Sequence, residues 1–235
     1  MVARCHTTKE ILFVTLLLVP GRRAALLAAT AGALVLSACA KDNEIDLTSG
    51  VGITQTRSLC PALAIPLHTG DVTLFDPATN RDVSAVDVVA AITKLTPQCN
   101  EAGEKVFMAA NFEVLATRRD AGPARTIDIP YFSTVVQGGS AVVAKRIGQV
   151  RISFAEGQTR GSGTGQAAAY VDREAATLPD DIVERITRRR RAGDEDAAVD
   201  PLSIPEVRTA LQRASFELLV GFQLTEAQLE YNVRR

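Results

Sequence analysis

The chain has 235 residues with a formal net charge of −1, and its basic residues form no stripe or face of the kind that tracks nucleic acid, so a nucleic-acid partner is not expected. Its two histidines, four cysteines and absent tryptophan exclude a three-histidine metal centre and leave little from which to build an aromatic sugar groove. No GxSxG elbow, HExxH helix or Walker loop occurs, and no catalytic, cofactor-binding or metal residues are assigned.

The first 38 residues read as an export signal. Arg22 and Arg23 form a basic start, Ala24 to Leu36 an apolar run, and Ser37-Ala38 a small-residue cleavage site before Cys39. A run of this length is too short for a transmembrane helix, which needs about 20 apolar residues. Polar Lys41-Asp42-Asn43-Glu44 follows at once. A second apolar run, Ile11 to Val19, precedes a signal that is already complete, which points to translation starting at Val19 and to residues 1–18 as a misassigned start.

Leu36-Ser37-Ala38-Cys39 resembles the lipobox of bacterial lipoproteins. The resemblance implies diacylation of the Cys39 sulfur, cleavage before Cys39 and a second acylation of the new amino group. The membrane is then a partner through lipid on Cys39, since two or three acyl chains hold where one binds reversibly. Ala40 in place of aspartate implies sorting to the outer membrane, facing the periplasm. Residues 39–50 are expected to form a short tether, reaching at most about 3.3–3.6 Å per residue, and 51–235 a single domain.

Removing residues 1–38 from the 235 leaves 197, enough for one domain with its own core. From Cys39 onward, 22 basic residues face 26 acidic ones, a net −4. Cys60 and Cys99 remain as a disulfide candidate for an oxidising compartment. The alternatives are two free thiols or a redox or metal pair; His68, the histidine of this region, could serve Cys60 as a base only if that thiol were free.

Downstream the dominant signal is alternation of apolar and polar residues with the period of a half-buried strand. Strands are predicted at Val72–Phe75, Val86–Leu95, Ala110–Arg118, Thr126–Val136, Ala141–Arg146, Val150–Phe154, a glycine-rich stretch from Gln158 to about Val171, and Phe216–Leu224. Gln137-Gly138-Gly139-Ser140 is a hairpin turn. Pro130 marks its strand as an edge or a bulge. Gly161-Ser162-Gly163-Thr164-Gly165 has the look of a phosphate loop but lacks its last glycine and any following helix, and reads as a flexible edge strand.

Helices are predicted from Asp180 to Arg191, acids first and arginines last as the helix dipole favours, and from Ser203 to 215, opened by a Ser203-to-Glu206 capping box. A third runs from Thr225 to about Tyr231. The expected fold is mainly β, an antiparallel immunoglobulin-like sandwich with two or three helices in the C-terminal third. Arg188, Arg189, Arg190 and Arg191 form a possible interaction patch, with a solvated helix end as the plainer reading. The expected function is a non-enzymatic interaction or scaffold module of the cell envelope with a protein partner. The alternative is a module binding a small molecule or lipid in an apolar cavity near Phe112, Phe154 and Phe222.

Overall fold

The computed structural model describes residues 57–235. They form one eight-stranded mixed sheet that curls on itself, with three helices at its C-terminal side. The strands are β1 (Ala62–Ala64), β2 (Asp71–Phe75), β3 (Val86–Asn100), β4 (Lys105–Arg118), β5 (Arg125–Gln137), β6 (Ala141–Phe154), β7 (Arg160–Asp172) and β8 (Phe216–Phe222). The helices are α1 (Asp180–Thr187), α2 (Pro205–Ala214) and α3 (Glu226–Arg234), with one further helical turn at Arg173–Ala176.

Strand order is β1-β8-β5-β6-β7-β4-β3-β2. β1, not foreseen in the sequence, runs parallel to β8, so the sheet is not purely antiparallel as expected. β7 pairs with β4 over thirteen residues, Arg160 to Asp172, but with β6 only at Ser153–Ser162 and Phe154–Gly161. The sheet therefore folds at a corner between β6 and β7. Its far sides meet at Thr69-Gly70, where the Thr69 carbonyl accepts from Phe222 N–H and the Gly70 carbonyl from Ile92 N–H, both at 2.8 Å.

Alternation fills the curl. Met108, Ala110, Phe112, Val114 and Ala116 of β4 point inward against Val150, Ile152 and Phe154 of β6 and Leu218, Val220 and Phe222 of β8. A second, smaller core joins Leu178, Ile182 and Ile186 to Val207 and Ala214 of α2.

Several boundaries differ from expectation for identifiable reasons. β3 continues through Pro97 to Asn100, because β2 pairs with β3 only as far as Ala91 and the missing proline N–H faces an unpartnered side. β5 pairs with β8 only from Tyr131 onward, so Pro130 stands at a local edge on that side, and the bulge falls elsewhere, at Val135/Val136. N–H and C=O of one strand residue point to the same neighbour; the Pro130 carbonyl accepts from Gln223 N–H, one residue past the end of β8, so no carbonyl within β8 loses a donor to the missing proline N–H. Ala141–Arg146 and Val150–Phe154 are one strand, not two.

α1 stops at Thr187, four residues short of Arg191, because Arg190 turns inward. The Ser203 capping box does not form: Ser203 belongs to a 3₁₀ turn, its hydroxyl donating to the Asp200 carbonyl, and α2 starts at Pro205. Thr225 and Gln228 do form a capping box at the start of α3, which extends to Arg234.

Candidate functional site

Leu36 to Cys39, the expected lipidation site, lies outside the described residues. What is seen is how the chain enters the domain. Cys60 and Cys99 are disulfide-bonded, 39 residues apart in sequence with Cα atoms 6.2 Å apart. The Glu101 carboxylate accepts from the Ser58 hydroxyl at 2.6 Å and the Leu59 N–H at 3.0 Å. These bonds, the Ser58 hydroxyl foremost, hold its carboxyl below the usual range. The Arg57 guanidinium donates to the carbonyls of Ala176 and Ala214 and to the Ser215 hydroxyl, satisfying chain ends at the helical turn and at α2. From Arg57 to Cys60 the entering segment is thus fixed by an ion, a carboxylate and a covalent bond.

Cys60, Cys99 and Glu101 place three potential metal donors within 4.8 Å of one another. The disulfide occupies both sulfurs, which also removes Cys60 as a thiol nucleophile for His68.

The arginine run is not one patch. Arg190 is buried, 7 % exposed, and donates to Asp196 at 3.2 Å and to the Arg185 carbonyl at 3.1 Å. Arg188 pairs with the same aspartate, whose carboxyl those two guanidiniums hold low. Arg189 and Arg191 are exposed. Residues 173–214 hold eight arginines against nine acidic residues, so this side carries no net positive charge with which to seek an anionic surface.

Gly161, Gly163 and Gly165 are not a phosphate loop: Gly161 pairs with Phe154 of β6, while Gly163 and Gly165 pair with β4 alone and lie under β6. A Cβ at Gly163 would lie 2.2 Å from the Arg151 carbonyl oxygen, and one at Gly165 2.3 Å from the Phe112 ring. The glycines let β6 cross directly over β7, which makes the corner. Tyr131 passes beneath Gly148 and donates to the Gln166 carbonyl at 2.6 Å. At the same end Arg118, 5 % exposed, donates to the carbonyls of Gln158, Pro123, Gly122 and Ala155 and lies 5.3 Å from the Phe154 ring centroid. Sequence alone did not single out Arg118, because nothing local separates a buried clamp from a surface cation.

An open cleft of about 570 Å³ is lined by Lys94, Asn111, Phe112, Glu113, Thr164, Gly165 and Gln166. Five of these seven residues are polar or charged, with a Lys94–Glu113 ion pair at 2.5 Å and a Gln166-to-Asn111 hydrogen bond at 3.0 Å. Phe112, Phe154 and Phe222 are 3 %, 2 % and 1 % exposed and packed into the core; of the three, Phe112 alone also reaches this cleft.

β6 leaves β7 after the corner, and from Ala141 to Arg151 it has, among the described residues, a hydrogen-bonded strand on one side only, β5. From Ala141 to Ile147 every residue is exposed, Val142, Val143 and Ile147 among them. The signal for this was present in the sequence: Ala141-Val142-Val143-Ala144-Lys145-Arg146-Ile147 is strand-prone but does not alternate, so neither face is marked for the core.

The chain matches no known protein family, no curated protein and no solved structure.

Proposed function

We propose that this protein is a lipid-anchored component of the bacterial cell envelope, held at the outer membrane and facing the periplasm, whose β domain is a non-enzymatic interaction module. The observation that carries the reading is the lipobox-like Leu36-Ser37-Ala38-Cys39 after a basic and apolar leader. The Cys60–Cys99 bond supports it, because such bonds persist in oxidising compartments. No helix among the described residues is long and apolar enough to cross a membrane.

We read the curled sheet as a two-layered arrangement, related to the immunoglobulin-like sandwich expected from sequence but joined through its corner. The packed phenylalanines favour an interaction module over one with a ligand cavity.

Replacing Cys39 with serine tests the anchor. The wild-type chain is expected to be cut before Cys39, to incorporate labelled fatty acid and to partition into detergent with the outer membrane. The Cys39→Ser chain is expected to stay uncut and unlabelled. Normal cleavage and membrane partitioning of the variant would overturn the reading.

A further inference from the structure

Along the free side of β6 lies a stretch of backbone with alternate N–H and C=O groups and, among the described residues, no strand beside it. Protective edges are short, charged, twisted away or covered. This one is long, and it carries Val142 at 64 % exposure, Val143 at 51 % and Ile147 at 63 %. Within that apolar frame sit Lys145 and Arg146, neither of which has an ion-pair partner among the described residues. The Lys145 ammonium lies 5.5 Å from the Phe132 ring centroid, its stem across the sheet.

We propose that this edge is the docking surface of the interaction module, and that its occupant is an extended acidic segment of a partner protein, added to β6 as a ninth strand. The inference rests on the module reading above and names the partner's chemistry.

Register gives that chemistry detail. Lys145 stands opposite Thr134 and Ile147 opposite Phe132, on the outer face of the sheet. Arg146 stands opposite Ser133, on the face that Val150 and Ile152 use farther along. Two adjacent cations on opposite faces are matched by two adjacent acids in the incoming strand, since directly opposed residues share a face. Apolar residues flanking those acids then meet Ile147 on one side and Val142 or Val143 on the other. A second copy of the chain is a poorer occupant. Antiparallel pairing of two β6 edges about a two-fold axis gathers both Lys145-Arg146 pairs around one stretch, where like charges repel.

The test is a titration of the purified wild-type chain, in detergent where it carries lipid, with the blocked peptide Thr-Val-Thr-Glu-Glu-Val-Thr-Val, read by amide hydrogen exchange. Alternate amides between Val142 and Gln149 are expected to slow by about tenfold or more at saturation, with those of Val150 to Phe154 unchanged. The peptide with Lys-Lys in place of Glu-Glu is expected to have no effect. In the doubly substituted chain, Lys145→Glu with Arg146→Glu, the preference is expected to reverse; both side chains are exposed, so the fold is retained, and slow exchange in β4 verifies this.

Equal protection by both peptides, or none by either at millimolar concentration, overturns the proposal. So does protection that arises without peptide and grows with protein concentration, which assigns the edge to a second copy. Processing at Cys39 is read separately, so loss of the anchor and loss of the edge site are distinguishable results.

Discussion

From Val150 to Phe154, β6 alternates between buried and exposed side chains, crosses three glycines of β7 and ends beside the Arg118 clamp. From Ala141 to Ile147 the same strand, bonded to the same β5, is exposed at every residue. The sequence of the two ends is similarly rich in β-branched residues, so β propensity does not separate them. What separates them is a neighbour: at the closed end β7 offers a surface without side chains, and at the open end β7 has turned away. A strand acquires a buried face when another layer can approach it, and the glycines decide where that happens.

Substitutions at the two ends give the sharpest contrast. Phe154→Ala removes a ring buried in the corner and is expected to cost about 4 kcal/mol, while Ile147→Ala at the open end costs less than about 0.5 kcal/mol, both read from urea unfolding midpoints. Equal costs would break the comparison. Gly163→Val comes next, at about 3 kcal/mol, because its first side-chain atom meets backbone at Arg151, not a movable side chain. Gly139→Ala, at the tip of the β5–β6 turn with φ +78°, meets no atoms there and carries only the smaller strain of a left-handed backbone. Arg118→Met removes a donor from four carbonyls of the closed end, of which Gly122 and Ala155 keep a backbone donor, and is expected to cost about 2 kcal/mol, with thermal unfolding as the measure and faster amide exchange confined to the loops around Gly122 and Gln158.

The strands were legible wherever one face meets the core, as in Phe216 to Phe222, where period two stands out in the residues themselves. Legibility failed where the determinant is distant. β1 is three residues long, stabilised by pairing with β8 across more than 150 positions of chain, and no local pattern announces it. Gly161 to Gly165 show in the sequence that a close approach is needed but not what approaches. The arginine run was misread in its helical extent because dipole logic treats all four cations alike, whereas burial of Arg190 against Asp196 ends the helix and divides the patch. The disulfide was readable from cysteine number and the expected compartment. The open edge of β6 was half readable: Ala141 to Ile147 do not alternate, so no core face is marked, but which neighbour is missing depends on where β7 goes.

The smallest effect concerns what else closes the corner end. Arg125, the first residue of β5 and opposite Phe154, makes a two-pronged ion pair with Asp87 of β3 at 2.7 and 2.8 Å, spanning the curl. The hydrogen bond from Arg125 is the main cause of a carboxyl held below its ordinary value, with Arg119 and Arg118 adding to it against some desolvation. A carboxyl lowered by folding contributes stability above its unfolded value, near pH 4, and that stability is lost as pH falls through the folded value. Both side chains retain contact with water, so the contribution is about 0.5 kcal/mol. Asp87→Asn should therefore lower the unfolding midpoint slightly at pH 7 and leave it unchanged relative to wild type near pH 2. If instead the variant stays weaker at pH 2 by the same margin, the pair acts through shape and not charge. Exchange rates along Ala141 to Ile147 should not respond at either pH, because the open end of β6 has no part in that contact.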